Sequence, residues 1–234
     1  MLEIENLVTG YGKIEILHGI NMKIPDSEMT VVIGPNGAGK STIFRAIFGI
    51  IKVWDGKIRF NGEDISSAGT QTLLKKGISY VPQGRNIFSL MTVQENLEMG
   101  AYIRNDTQKI KEDIEGIYQR FPILGERRNQ EARKLSGGQQ QMLEMGRALL
   151  LNPSFIMLDE PSLGLAPNFA DLIFEEITKI KESGKTIMMV EQNAKRALEI
   201  ADYAYVLELG KNKYEGPAQE IMENEKVKKL YLGG

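Results

Sequence analysis

The sequence predicts an α/β domain with a largely parallel sheet covered on both faces, an antiparallel β subdomain at its N-terminal end, and an inserted α-helical subdomain. Three observations predict it. Four short, mostly apolar runs, Met29–Ile33, Phe155–Leu158, Thr186–Val190 and Tyr203–Leu207, have the character of strands buried on both faces. Helix-spaced apolar positions lie between those runs, as in strand–helix–strand units. From about Thr92 to Leu150, by contrast, no strand pattern is visible.

Taken in chain order, residues 1–8 alternate apolar and polar, as a half-buried strand does, and residues 20–24 and 57–61 are compatible with the same. Met29–Ile33 supplies the first buried strand. A helical pattern follows through Ile43, Ala46 and Ile47. Within the insertion, Ile110, Ile114, Ile117, Tyr118 and Phe121 form one helical stripe; Met142, Met145, Leu149 and Leu150 form another. Between them the charged stretch Glu126–Lys134 reads as a solvated surface loop. Phe169, Leu172, Ile173, Ile177 and Ile180 mark a further helix, which Gly184 stops. The expected organisation is a single domain over 1–234, with core about 1–91 and 151–234 and helical subdomain about 92–150.

Composition narrows the function. Lys plus Arg number 29 against 31 Asp plus Glu, a formal charge of −2, which argues against neutralising a nucleic-acid backbone. Without cysteine, disulfides, thiolate metal sites and thiol nucleophiles are excluded. The one histidine, His18, lies far from the motifs below and reads as structural. No run approaches the ~18 apolar residues of a membrane span. The acidic, alternating start is unlike a secretory signal, so the expected location is the cytosol, with docking on a membrane protein open.

Gly34-Pro35-Asn36-Gly37-Ala38-Gly39-Lys40-Ser41, followed by Thr42, matches G-x-x-x-x-G-K-[ST] between a buried strand and a helix. Glycines let backbone N–H groups turn inward around phosphate oxygens, and the helix N-terminus adds partial positive charge. Lys40 then reaches the β- and γ-phosphates while the Ser41 hydroxyl ligates Mg²⁺. Phe155–Leu158 ends in Asp159 and Glu160. Ligands of open parallel sheets bind beyond the carboxyl ends of strands, so both acids face the cradle. Asp159 fits as the Mg²⁺ partner, direct or second-sphere, and Glu160 as the base acting on the attacking water. Leu135-Ser136-Gly137-Gly138-Gln139 opens the helix after it as a capping box, and its two glycines leave amides open to an anion. A chain with a complete cradle has no need of a second phosphate site, so these amides are expected to complete a neighbour's.

Those three motifs, in this order and spacing, resemble the ATP-binding cassette of ABC transporters across essentially the whole chain. The resemblance implies a P-loop NTPase (RecA-like) core, ATP and Mg²⁺ as cofactors, and hydrolysis coupled to transport. It places Tyr11 on the adenine and Gln83, in Val81-Pro82-Gln83-Gly84-Arg85, at a loop touching Mg²⁺ or the attacking water. It implies two subunits sandwiching two ATPs, each held by one chain's cradle and the other's Ser136–Gln139. The partners implied are membrane permease subunits, a second ATPase subunit (a paralogue or the same chain) and, indirectly, a solute-binding protein. Two departures stand out: Gln192 occupies the place of the family's switch histidine, and Ala166 that of a loop aspartate. With Val81–Arg85, Ser162–Pro167, Val190–Asn193 and the tail Leu230–Gly234, they resemble one ATP-binding subunit of branched-chain amino-acid importers. Urea and short-chain amide importers share some of these elements and match Ser162–Pro167 less well. Soluble cassette ATPases of DNA or ribosomes are disfavoured because 96 positions (136 − 40) separate Lys40 from Ser136, too few for an inserted coiled coil. A regulator that binds nucleotide without hydrolysing it is opposed by the intact Lys40, Asp159, Glu160 and Gln83.

Overall fold

The computed structural model describes residues 1–232. The tail glycines Gly233 and Gly234, part of the resemblance above, lie outside the described residues. In chain order the elements are β1 (Leu2–Tyr11), β2 (Ile14–Ile24), β3 (Met29–Ile33), α1 (Lys40–Ile47), β4 (Asp55–Phe60), β5 (Glu63–Asp64), α2 (Thr70–Lys75) and β6 (Ile78–Val81). There follow α3 (Val93–Gly100), α4 (Thr107–Arg120), α5 (Pro122–Glu126), α6 (Gly137–Leu149), β7 (Phe155–Asp159), α7 (Pro167–Glu182), β8 (Thr186–Val190), α8 (Ala194–Ile200), β9 (Tyr203–Glu208), β10 (Lys211–Pro217), α9 (Ala218–Glu223) and α10 (Glu225–Val227).

The predicted α/β architecture is present as two sheets. One is antiparallel, in the order β2-β1-β4-β5; the other runs β10-β9-β3-β8-β7-β6. In the second, β9, β3, β8, β7 and β6 are parallel, and β10 closes the edge antiparallel to β9.

The apolar runs have a direct structural reason. Successive residues of a strand point to opposite faces, and both faces of this sheet carry a core. Met29, Val31, Ile156, Leu158, Ile187 and Met189 pack into the core beneath the helices. Val32, Phe155, Met157, Met188, Val190 and Tyr205 pack into a second core shared with α1 and the antiparallel sheet. The small sheet is the other wall of that second core.

The strap from Glu126 to Lys134 differs from a freely solvated loop. Its charged side chains reach water, but its backbone is pinned, with Val93 N–H donating to Gln130 O at 3.0 Å and Ala132 N–H to Met91 O at 2.8 Å. Ala132 itself is fully buried. Strand β6, strand β10 and the helices beyond it carry no sequence signal comparable to the four apolar runs, and they complete the large sheet and one face of its core.

One turn joins three segments. Between β9 and β10, Gly210 N–H donates to Ala38 O at 3.1 Å and Gly210 O accepts from His18 N–H at 2.9 Å. A Cβ at Gly210 would stand 1.9 Å from Ile16 O, and its φ is +72°, so only glycine fits.

Candidate active site

Strand β3 runs directly into the phosphate loop. Gly34 closes against β9 so tightly that a Cβ there would meet Leu207 O at 2.3 Å. Gly39, at φ 99°, is the left-handed residue that lets the chain enter α1. The loop and the start of α1 form one wall of a cleft of about 500 Å³. Asn36, Gly37, Gly39, Lys40, Ser41 and Thr42 line that wall; Gln83, Glu160, Leu163 and Gln192 face it. The described structure thus gathers residues from four segments on one cavity at the carboxyl ends of the parallel strands β3, β6, β7 and β8.

Lys40 is buried, and its ammonium donates to Gly34 O at 2.9 Å and Pro35 O at 3.1 Å. An ammonium has three hydrogens, so one remains for a phosphate oxygen. Burial lowers its pKa, opposed by the charges of Glu160 and Asp159. Asp159 accepts from Ser41 Oγ at 3.0 Å and from Tyr80 Oη at 3.1 Å. Burial raises its pKa, and those two hydroxyls work the other way. Tyr80 carries no motif signal; its ring is wedged against Phe44 and Phe48 at 5.9 and 5.3 Å, which aims its hydroxyl at the carboxylate.

Glu160 accepts from Gln83 Nε2 at 2.8 Å. Burial pushes its pKa up, and the nearby Lys40 pulls it down. Its φ of +50° is a sparsely populated backbone state for a residue with a Cβ. Gln83 directs its nitrogen to Glu160, which leaves its carbonyl oxygen free to accept or ligate. The donor set for Mg²⁺ is then the Ser41 hydroxyl, the Asp159 carboxylate and the Gln83 carbonyl. An all-oxygen set of few protein ligands suits a cation that keeps waters and takes phosphate oxygens, so these residues fit Mg²⁺.

Sequence reasoning missed Glu191, a charged residue directly after a fully buried strand. Its carboxylate is 2% exposed. It accepts from the backbone N–H groups of Ser162, Gln192 and Asn193 at 3.0, 3.0 and 3.3 Å.

Two groups of expected site residues lie apart from the cleft. Tyr11, at the end of β1, is 39% exposed and accepts from Arg45 Nη1 at 3.2 Å; Ile16 borders the cleft instead. Ser136–Gln139 do not border it either. They form the expected capping box, Gln139 N–H donating to Ser136 Oγ at 3.4 Å and Ser136 N–H to Gln139 Oε1 at 3.0 Å. Their glycines are not simply bare. A Cβ at Gly137 would lie 2.5 Å from the Arg85 guanidinium, and one at Gly138 would lie 2.4 Å from the Phe169 ring. Arg85, from the loop after β6, and Phe169, in the first turn of α7, thus pack closely over these glycines.

The chain is similar to known proteins in sequence and in fold. A family model described as ABC transporter matches residues 17–163. The chain is 42% identical over 234 residues to BraG, a high-affinity branched-chain amino acid transport ATP-binding protein of Pseudomonas aeruginosa, covering 100% of both chains. It is 34% identical to LptB, a lipopolysaccharide export system ATP-binding protein of Haemophilus influenzae, over 100% of this chain and 97% of that one. Among solved structures, the ADP conformation of MJ1267, an ATP-binding cassette of an ABC transporter, matches with a TM-score of 0.88 at 30% identity, covering 100% and 99%. A dimeric post-hydrolysis structure of the cassette MJ0796, bound to ADP and Pi, matches with a TM-score of 0.82 at 25% identity, covering 93% and 99%.

Proposed function

The chain belongs to the ABC transporter family of ATP-binding proteins, and from that premise we propose that it energises an importer of leucine, isoleucine and valine. As a family member it is an ATPase whose hydrolysis is coupled to transport. The observation that carries the cargo reading is the 42% identity to BraG over both full lengths. A second reading, export of a lipopolysaccharide-type lipid, is favoured by LptB at 34%. Other amino acids or short amides remain alternatives of the same class.

The mechanism follows from the cleft. Loop amides and Lys40 hold the β- and γ-phosphates, with the α1 N-terminus adding its dipole. Ser41, Asp159 and Gln83 would hold Mg²⁺, which would supply neutralisation of phosphate charge. Glu160 draws a proton from the attacking water. Its partial burial keeps its carboxylate more basic than a solvated one. Gln192 donates a hydrogen bond to the γ-phosphate but cannot carry a proton, so the acid–base work falls on Glu160. Tyr11 is the residue assigned to the adenine, and its hydroxyl is bonded to Arg45 in the structure. Because Ser136–Gln139 lie off the cleft, their amides serve the ATP of a second subunit, paralogue or self.

No helix among the described residues is long and apolar enough to cross a membrane. On the family membership, the chain works through permease subunits at the cytoplasmic face of the membrane, with a solute-binding protein acting on the far side. Between α3 and α6 lies a groove of about 250 Å³ bordered by Tyr80, Pro82, Asn86, Met99 and Tyr102. Phe88 and Leu90 are exposed close by in sequence, and this face is where the permease docks. The deciding experiment is copurification with the membrane subunits, reconstitution in vesicles and ATPase assay with loaded solute-binding protein. Stimulation by leucine, isoleucine or valine is expected. Stimulation only by an amide or by lipopolysaccharide overturns the cargo reading.

A further inference from the structure

Two loops bring Glu160 and Gln192 to the cleft. They leave adjacent strands: Asp159 stands opposite Val190 in the β7–β8 ladder, and Glu160 N–H donates to Val190 O at 2.8 Å. Beyond that rung the backbones part, and a single buried side chain spans them. Glu191 Oε1 accepts from Ser162 N–H in the first loop; Glu191 Oε2 accepts from Gln192 and Asn193 N–H in the second. The first loop also folds back on itself, Leu163 N–H donating to Glu160 O at 3.1 Å, and the second does so through Ala194 N–H to Gln192 O at 2.9 Å. Leu163 and Gln192 both line the cleft.

We infer that Glu191 is a positioning residue that ties the loop bearing Glu160 and the loop bearing Gln192 into one rigid unit, so that displacement at Ser162–Leu163 moves Gln192 with it. A carboxylate is suited to this because it has two acceptor oxygens and no donor. Glutamine of the same shape can serve one loop, but it turns an N–H₂ toward the other loop's N–H. Glu191 touches neither phosphate nor water in this role; it acts through Gln192 and Glu160.

The inference rests on the reading that those two residues serve ATP hydrolysis, and its test separates the two ideas. Amide hydrogen exchange on the full chain without nucleotide concerns the tie alone. In the parent, the amides of Ser162, Gln192 and Asn193 exchange at least ~100-fold more slowly than exposed loop amides. In E191Q one loop, either Ser162 or the Gln192–Asn193 pair, loses that protection while β7 and β8 keep theirs. Unprotected amides in the parent overturn the inference and require no folded variant. Steady-state kinetics then address the coupling. E191Q keeps KM for ATP within about twofold and lowers kcat about tenfold or more, and adding Q192A lowers it no further. Unchanged kcat in folded E191Q, or losses that multiply in the double variant, overturn the coupling. A parent chain that hydrolyses no ATP sinks the functional reading instead, and the exchange result still decides whether the tie exists.

Discussion

At position 160 a carboxylate sits on a backbone turned to a φ of +50°, held by Gln83 and flanked by Lys40 and Glu191. Strain of this kind persists only where surrounding bonds over-determine it. Glu160→Gln keeps the shape and the Gln83 contact but removes the base, so it should retain ATP affinity and lose about 10²–10⁴-fold in turnover; phosphate release and nucleotide titration check the two halves. The pH profile carries a matching sign. On the proposed role, hydrolysis needs Glu160 ionised, and burial raises its pKa above the ordinary glutamate value, so the acid limb of kcat should fall at higher pH than an ordinary glutamate's, and it should vanish in the variant. Lys40, Ser41, Asp159 and Glu160 were legible because their chemistry is written in contiguous motifs. Tyr80 and Glu191 were not, because each acts on a partner brought close only by the fold: Tyr80 lies 79 positions from Asp159, and Glu191 lies 29 from Ser162.

Among the elements, the buried parallel strands were the most readable, since both faces need apolar side chains. Strand β6 was not, because Ser79 and Tyr80 interrupt its run, Ser79 Oγ donating to Ala148 O and Tyr80 serving Asp159. Strand β10 alternates half-buried and exposed at the sheet edge, too weakly to stand out. In α7, Leu172 fits the helical stripe but is exposed, whereas Ile173 and Ile177 are fully buried. Helix α6 hides a cost that patterning does not reveal. Glu144 is buried within it and accepts from Asn86 N–H at 3.1 Å, yet its second oxygen has no partner among the described residues. Burial pushes its pKa up to about 7. The unfolded chain releases this proton near pH 4.5 and the folded one near 7, so stability from this group is present below pH 4.5 and lost as pH rises to about 7. Glu144→Gln keeps the Asn86 acceptor and should be more stable than the parent at pH 8, by up to ~3 kcal/mol, and little different at pH 4. Urea unfolding at both pH values checks it.

For the whole molecule, the decisive arrangement is the separation of Ser136–Gln139 from the chain's own cleft. The hydrolysis-arrested Glu160→Gln protein should therefore form dimers with Mg·ATP, read by light scattering. Adding Ser136→Asp preserves the helix cap, since aspartate caps as well as serine, but sets a carboxylate against the partner's phosphate. The double variant should bind ATP as a monomer; a dimer of equal strength would count against a shared site. The motifs made this separation foreseeable, but not the Arg85 and Phe169 packing that holds the amides in place. The turn at Gly210 has its own consequence. Strand β2, the tip of the β9–β10 hairpin and the back of the phosphate loop meet at an α-carbon with no room for a side chain. The grip on the triphosphate is thus steadied from behind by a residue that never meets it, and inherited variation there would first surface as a slackened hold on fuel.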